Sequence, residues 1–323
     1  MIRSALIFVP HPDDEINLAG GLFGILRDRG VRTTVVVGTN GDYFPEDAAV
    51  RFYEMRRAQR ILGYQELIFL GYGDGYKDRH IYDAIDEPVE SRSGHRETYC
   101  AGDVPEYCFA RTGKHHAYTR ANYKQDIADV LREKRADLVL CNDLDSHPDH
   151  QCLSRLFDEA MDELLQADGS YRPIVLKGFA YAGALFGPAD FFDREIKPAY
   201  AQDVSPYAWE DRIRLKTSEA SQRLCLRRNP LFRAVQAHRS QSDFYKTGFC
   251  FLDHFASLAN PDACFWYRNG QPADFPWEEV PFERYEDCTV KRNALAAGLA
   301  WLCFKLQVKL ALLRSKMKQR WTK

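Results

Sequence analysis

Five consecutive apolar residues, Ala5-Leu-Ile-Phe-Val9, stand near the start of the chain. A strand wetted on one face alternates apolar and polar positions, so an unbroken apolar run of strand length implies burial on both faces. Leu138-Val-Leu-Cys141 repeats the pattern. Strands covered on both faces need helices on each side, and the intervening residues supply them. Ile16–Arg29 reads as a helix closed by Gly30, Glu46–Leu62 as one stopping at Gly63, and Asp149–Gln166 as another. Thr119 fits the N-cap of a helix running to about Lys134. Further strands are expected at Arg32–Val37, Leu67–Leu70 and Ile174–Ala180. Strands alternating with such helices imply a Rossmann-like α/β fold whose sheet is mostly parallel and flanked by helices.

Residues 76–118 interrupt this rhythm with a loop-rich insert full of His, Arg, Gly and Pro. Tyr207–Cys225 and Leu231–Ser240 read as helical, and Phe249–Asp287 as a loop-rich lid or packing layer. The expected organisation is one domain over residues 1–290 and a basic amphipathic segment over 291–323. Nine basic residues and no acidic one follow Asp287, whereas residues 1–290 carry 35 basic against 46 acidic side chains. An acidic body excludes the basic stripe of a nucleic-acid-binding domain. The tail suits either a helix packed on the body or one lying on an anionic membrane through 294–323. Its apolar run Ala294–Phe304 is short of the roughly 20 residues a span requires. Nine cysteines without a Cys-x-x-Cys pair, and no basic start followed by an apolar stretch, suggest a reducing, cytoplasmic setting, with the inner membrane face open to the tail.

Function is concentrated where the two apolar strands end. His11-Pro-Asp-Asp-Glu15 follows the first, and His147-Pro-Asp-His150 follows the second. Imidazole and carboxylate are ligands for borderline and hard divalent metals. Parallel α/β sheets bind ligands at the carboxyl ends of their strands. Two such clusters at matching ends therefore point to a metal-dependent hydrolase. Chemistry alone does not say which of Asp13, Asp14 and Glu15 binds metal, and Glu15 also suits the first turn of the next helix. A nucleotide-binding dehydrogenase is disfavoured because no Gly-x-Gly-x-x-Gly follows the first strand.

Both clusters resemble the two signatures of the PIG-L/LmbE-like zinc deacetylases, a family that includes N-acetylglucosaminylphosphatidylinositol deacetylase. Thr39-Asn-Gly-Asp42, Arg51-x-x-Glu54 leading to Leu62-Gly63, Gly71-Tyr-Gly-Asp-Gly75 and the late His238-x-Ser-Gln241 extend the likeness. The resemblance covers residues 4–180 and that late motif. It implies one zinc per chain, held by His11, Asp14 and His150 with water completing the coordination. It further implies Asp13 as general base, His147 as the acid that protonates the leaving amine and steadies the oxyanion, and Asp149 orienting His147. The substrate it implies is an acetylated amino sugar of the N-acetylglucosamine type, in a glycoconjugate or lipid-linked saccharide. A metal amidase for another N-acyl substrate and a non-catalytic sugar-binding module of the same fold are the alternatives.

Four residues carry two readings each. Arg51 contacts a sugar hydroxyl or phosphate, or pairs on the helix surface with Glu54 or another acid. Asp42 and Asp74 bind sugar hydroxyls or cap turns beside their glycines. His238 reaches the site or merely belongs to its helix. His80, His95, His115 and His116 are expected on a solvent-facing rim.

Overall fold

The computed structural model describes residues 2–44, 47–145, 147–181, 209–215, 230–241, 264–268 and 280–284. Strand β1 (Ser4–Val9) lies at the centre of the parallel part of the sheet, between β2 (Arg32–Thr39) and β4 (Leu138–Asn142). Ile7 faces Val35 on one side and Leu140 on the other. β3 (Glu66–Tyr72) extends the sheet beyond β2, and β5 (Ile174–Gly178) extends it beyond β4. The resulting order, β3-β2-β1-β4-β5, reverses direction between β1 and β4. That switch opens a crevice at the carboxyl ends of these two strands.

Alternate residues of the strands feed two cores. Ile7, Val9, Val35 and Val37 pack against α1 (Asp14–Asp28), α2 (Asp47–Leu62) and a short helix at Pro230–Ala237. Leu6, Phe8 and Val36 pack on the opposite face. There they meet α4 (Arg120–Lys134) and α5 (Pro148–Ala167), while α3 (Tyr107–Thr112) lies within the insert. Both faces of β1 are dry, as its unbroken apolar run requires. Thr119 caps α4 by accepting the Asn122 N–H at 3.3 Å.

Two expectations fail in the second half. Trp209–Leu215, inside the stretch read as helical, is strand β6. Within the expected loop-rich layer lie β7 (Cys264–Arg268) and β8 (Phe282–Arg284). These strands add to the sheet antiparallel, with β7 on β5 and β6 between β7 and β8. The charged composition Glu-Asp-Arg-Ile-Arg reads as helix, but Ile213 is fixed as strand by facing Phe265 on one side and Arg284 on the other. Tertiary pairing overrides propensity here. The insert is also more ordered than its composition suggests. It holds a 3-10 turn at Ile81–Asp83, helix α3, and isolated bridges joining Tyr76 to Ser91 and Glu97 to Ala117. Residues 291–323, with the expected amphipathic helix and membrane contact, lie outside the described residues, as does the boundary at 290/291. Among the described residues, no helix is long and apolar enough to cross a membrane.

Candidate metal centre

Pro10–Asp14 turns sharply out of β1, and Pro148 opens α5 just past β4. The two turns face each other across the switch point. His11 Nδ1 is 3.1 Å from Asp14 Oδ2 and 3.2 Å from His150 Nε2, and that Asp14 oxygen is 3.2 Å from the same His150 nitrogen. All three side chains are buried. A tetrahedral ion with bonds of about 2.0–2.1 Å would separate its ligands by about 3.3–3.4 Å. The three donors therefore already stand at the spacing of one face of such a tetrahedron. Opposite charges also hold the three side chains to one another. Burial pulls the His150 imidazole down, but Asp145 and Asp14 outweigh it and raise it to about 9. Burial likewise opposes ionisation of Asp14, which His150 and His11 nevertheless hold well below the carboxylate range.

The ring nitrogens turned away from this face have partners of their own. His150 Nδ1 lies 2.7 Å from Asp145 Oδ2, and His11 Nε2 lies 3.4 Å from Asp149 Oδ2 and 3.8 Å from Asp74 Oδ1. A carboxylate behind each imidazole fixes the tautomer and leaves the forward nitrogen free to bind metal. Asp145 was missed by sequence reasoning. Its only signal was a carboxylate in the short loop Asp143-Leu-Asp145 between a buried strand and His147.

Asp13 sits beside these donors in a left-handed conformation, φ 108°, that non-glycine residues seldom adopt. Arg51 donates to its Oδ1 at 3.0 Å and to the Pro12 carbonyl at 2.7 Å. Asp13 N–H donates to Glu15 Oε2 at 2.9 Å, and His238 Nε2 meets Glu15 Oε1 at 2.7 Å. Arg51 is thus a buried clamp rather than a helix-surface residue. Glu54 accepts from the Ser240 N–H and hydroxyl, docking the late His238-x-Ser-Gln241 motif onto α2. His238 reaches the site at one remove, through Glu15.

Asp42 and Asp74 tie the strand-end loops together. Asp74 N–H donates to Asp42 Oδ1 at 2.6 Å, while Tyr99 and Ser93 hydroxyls donate to Asp42 Oδ2. Asp74 Oδ1 accepts from Gly41 N–H and the Thr39 hydroxyl, and Oδ2 stands 3.7 Å from Arg51. Both are fully buried scaffolding, so the turn reading is the one their contacts support. Gly41 is required where it stands: its φ is +70°, and a Cβ there would lie 2.6 Å from Arg51 Nε.

His147 caps α5. Its Nδ1 accepts the Asp149 N–H at 3.2 Å, so the ring's own proton is on Nε2. Burial, together with the positive fields of His11 and His150, lowers it to about 3 and keeps the resting ring neutral. Asp149 does not grip it: Oδ2 is 3.8 Å from His147 Nδ1, while Oδ1 is 2.8 Å from His80 Nε2. Asp149 therefore braces His11, with His80 behind it. His80 is drawn from the insert into the site's surroundings instead of facing solvent as expected.

Residues 6–161 match the family model described as GlcNAc-PI de-N-acetylase, PIG-L. Over 102 residues the chain is 30% identical to a Bacillus cereus protein named probable N-acetyl-alpha-D-glucosaminyl L-malate deacetylase 2, covering 28% of this chain and 46% of that one. Over 200 residues it is 26% identical to a 1D-myo-inositol 2-acetamido-2-deoxy-alpha-D-glucopyranoside deacetylase of Acidothermus cellulolyticus, covering 56% and 59%. The chain thus spans about half the length of the curated relatives it matches. A deacetylase of the teicoplanin biosynthesis pathway shares the fold, with a TM-score of 0.52 at 16% identity over 83% of this chain and 99% of that one.

Proposed function

Because residues 6–161 match the PIG-L family model, we propose that the chain is a zinc-dependent hydrolase of that family. In this reading it removes the N-acetyl group from an N-acetylglucosamine-type sugar. The observation that carries the proposal is the buried face of His11, Asp14 and His150 with the Asp13 carboxylate beside it. Three protein donors leave the open position that a catalytic zinc needs. When bound there, zinc would polarise the acetyl carbonyl and acidify water.

The chain's own residues do the rest. Asp13 takes a proton from the attacking water while Arg51 holds its other contacts still. As the carbonyl carbon becomes tetrahedral, negative charge develops on its oxygen, and the neutral His147 offers Nε2–H to it. Donors aimed at developing charge in a water-poor site contribute about 2.7–4 kcal/mol. The proton on Asp13 then passes to the departing nitrogen, and the products are acetate and a free amine. This uses the oxyanion-steadying part of the role that the family resemblance implies for His147.

Zinc-loaded protein should release acetate from N-acetylglucosamine glycosides, and His150→Ala should lose the ion of this site together with turnover. Faster release of longer acyl groups would transfer the reading to a broader metal amidase. Sugar binding without acyl release would leave a binding module.

A further inference from the structure

Of the groups of metal-ligating side chains that converge among the described residues, one shares no member with the first. We infer that Cys108, His116 and Asp126 form a second cation site, suited to a thiophilic divalent ion such as zinc. One sulfur, one ring nitrogen and one carboxylate oxygen all lie within 4.8 Å of one another. No sequence spacing announces this set, because three separate elements contribute one ligand each. Cys108 is on α3, His116 on the loop after it, and Asp126 in the second turn of α4.

The local structure explains the convergence. Gly113 ends α3 with φ 69° and turns the chain back. His116 is then fixed by its backbone: its N–H donates to Thr98 Oγ1 at 2.9 Å, and its carbonyl accepts the Thr98 N–H at 2.8 Å. Asp126 is buried, and the Tyr72 hydroxyl donates to its Oδ2 at 2.7 Å. His116 Nδ1 lies 3.0 Å from Asp126 Oδ1 and 3.1 Å from the Oδ2 that Tyr72 also holds. A ligand carboxylate steadied by a hydrogen bond from behind is the usual outer-shell arrangement of metal sites. Cys108 Sγ is 3.6 Å from Thr112 Oγ1, a weak contact that ligation would exchange for a metal bond.

A histidine–aspartate pair alone would be an ordinary ion pair, and the thiol is what alters the reading. On binding, Cys108 would release its proton to solvent and join as thiolate. One thiolate and one carboxylate neutralise a divalent ion, which removes the main penalty for burying charge. Sulfur with imidazole selects zinc-type ions over magnesium or calcium. The His116 side chain is 29% exposed, giving the ion a route in and water a place to complete its coordination. Such a site would fasten the insert to α4.

The test uses cobalt(II) in place of zinc on the full-length protein, because only a cobalt bound by thiolate gives an intense near-ultraviolet charge-transfer band. The His11, Asp14, His150 set contains no sulfur. Wild type should bind two ions per chain and show the band. Cys108→Ser should bind one and lose the band, whereas His11→Ala should bind one and keep it. His116→Gln, at a partly exposed position, should behave as Cys108→Ser does and covers the case in which that variant does not fold. One ion and no band in the wild type would overturn the inference. So would a band of full strength in the folded Cys108→Ser or His116→Gln protein, since another cysteine would then be the source.

Discussion

Strands β1 and β4 lie side by side, and their two ends are built on different terms. At the amino end, Asp137 joins them by accepting Arg3 N–H at 2.8 Å, Ser4 N–H at 3.0 Å and the Ser4 hydroxyl at 3.1 Å. Its neighbours are ordinary, its surroundings are partly wet, and each contact satisfies an otherwise open donor. At the carboxyl end the same strands release into five buried carboxylates and imidazoles, His11, Asp13, Asp14, Asp149 and His150, with one backbone in a left-handed conformation. A sparsely populated backbone of this kind costs about 1–3 kcal/mol, and it persists only where its surroundings over-determine it. Arg51, Glu15 and His238 are those surroundings. One end closes the fold at little cost, and the other holds strained and charged groups ready for chemistry.

The largest effect separating the two ends should come from Asp13→Asn. Asparagine preserves the Oδ1 acceptor that Arg51 uses but cannot take a proton from water. Turnover should fall by roughly 10²–10⁴, the usual worth of a general base, with metal content unchanged. Loss of the ion in this variant would make Asp13 a ligand and would break the comparison's account of why its backbone is strained. His147→Asn should follow at a loss of about 10²–10³ in kcat, in the range for removal of one oxyanion donor. Asparagine is itself a good N-cap, so the melting temperature should stay near that of the wild type. A large drop in stability with only a small drop in kcat would reduce His147 to a cap.

Much of the carboxyl end was legible because it is local. His11, Asp13 and Asp14 lie within four residues, as do His147 and His150, and each cluster follows an unmistakably buried strand. The parallel sheet was legible for the same reason: dry strands on both faces leave a pattern that few other folds produce. What sequence could not supply was pairing at a distance. Asp145 behind His150, His80 behind Asp149 and His238 behind Glu15 are second layers, in two cases separated by 69 and 223 residues. The reading of Trp209–Leu215 failed similarly, since its strand state depends on partners far along the chain.

A smaller effect should mark the second layer itself. His238→Ala leaves Glu15 Oε1 buried without this donor, and an unsatisfied buried acceptor costs about 1–3 kcal/mol. If Glu15 positions Asp13, kcat should fall several-fold with KM nearly unchanged, and His238→Gln should restore part of it by donating from its amide. A purely structural role would instead lower stability alone, with no rescue of kcat.

The smallest effect belongs to the amino end and depends on pH. Burial alone would raise the Asp137 carboxyl, but the N–H groups of Arg3 and Ser4 and the Ser4 hydroxyl outweigh it and hold the group below its ordinary value. A carboxyl lowered in the folded state binds fewer protons there than when unfolded. Its contribution is therefore complete above the unfolded value of about 3.9 and is lost as pH falls through the folded one. Because the group is partly exposed, that contribution should be under about 1 kcal/mol. Denaturant unfolding of wild type and Asp137→Asn should differ most at neutral pH and converge as the pH falls through the folded-state value, while turnover at neutral pH stays unchanged. A variant that unfolds identically at neutral and at low pH would show that the amino end contributes nothing through charge. A variant that loses turnover would show that the two ends of β1 and β4 are coupled.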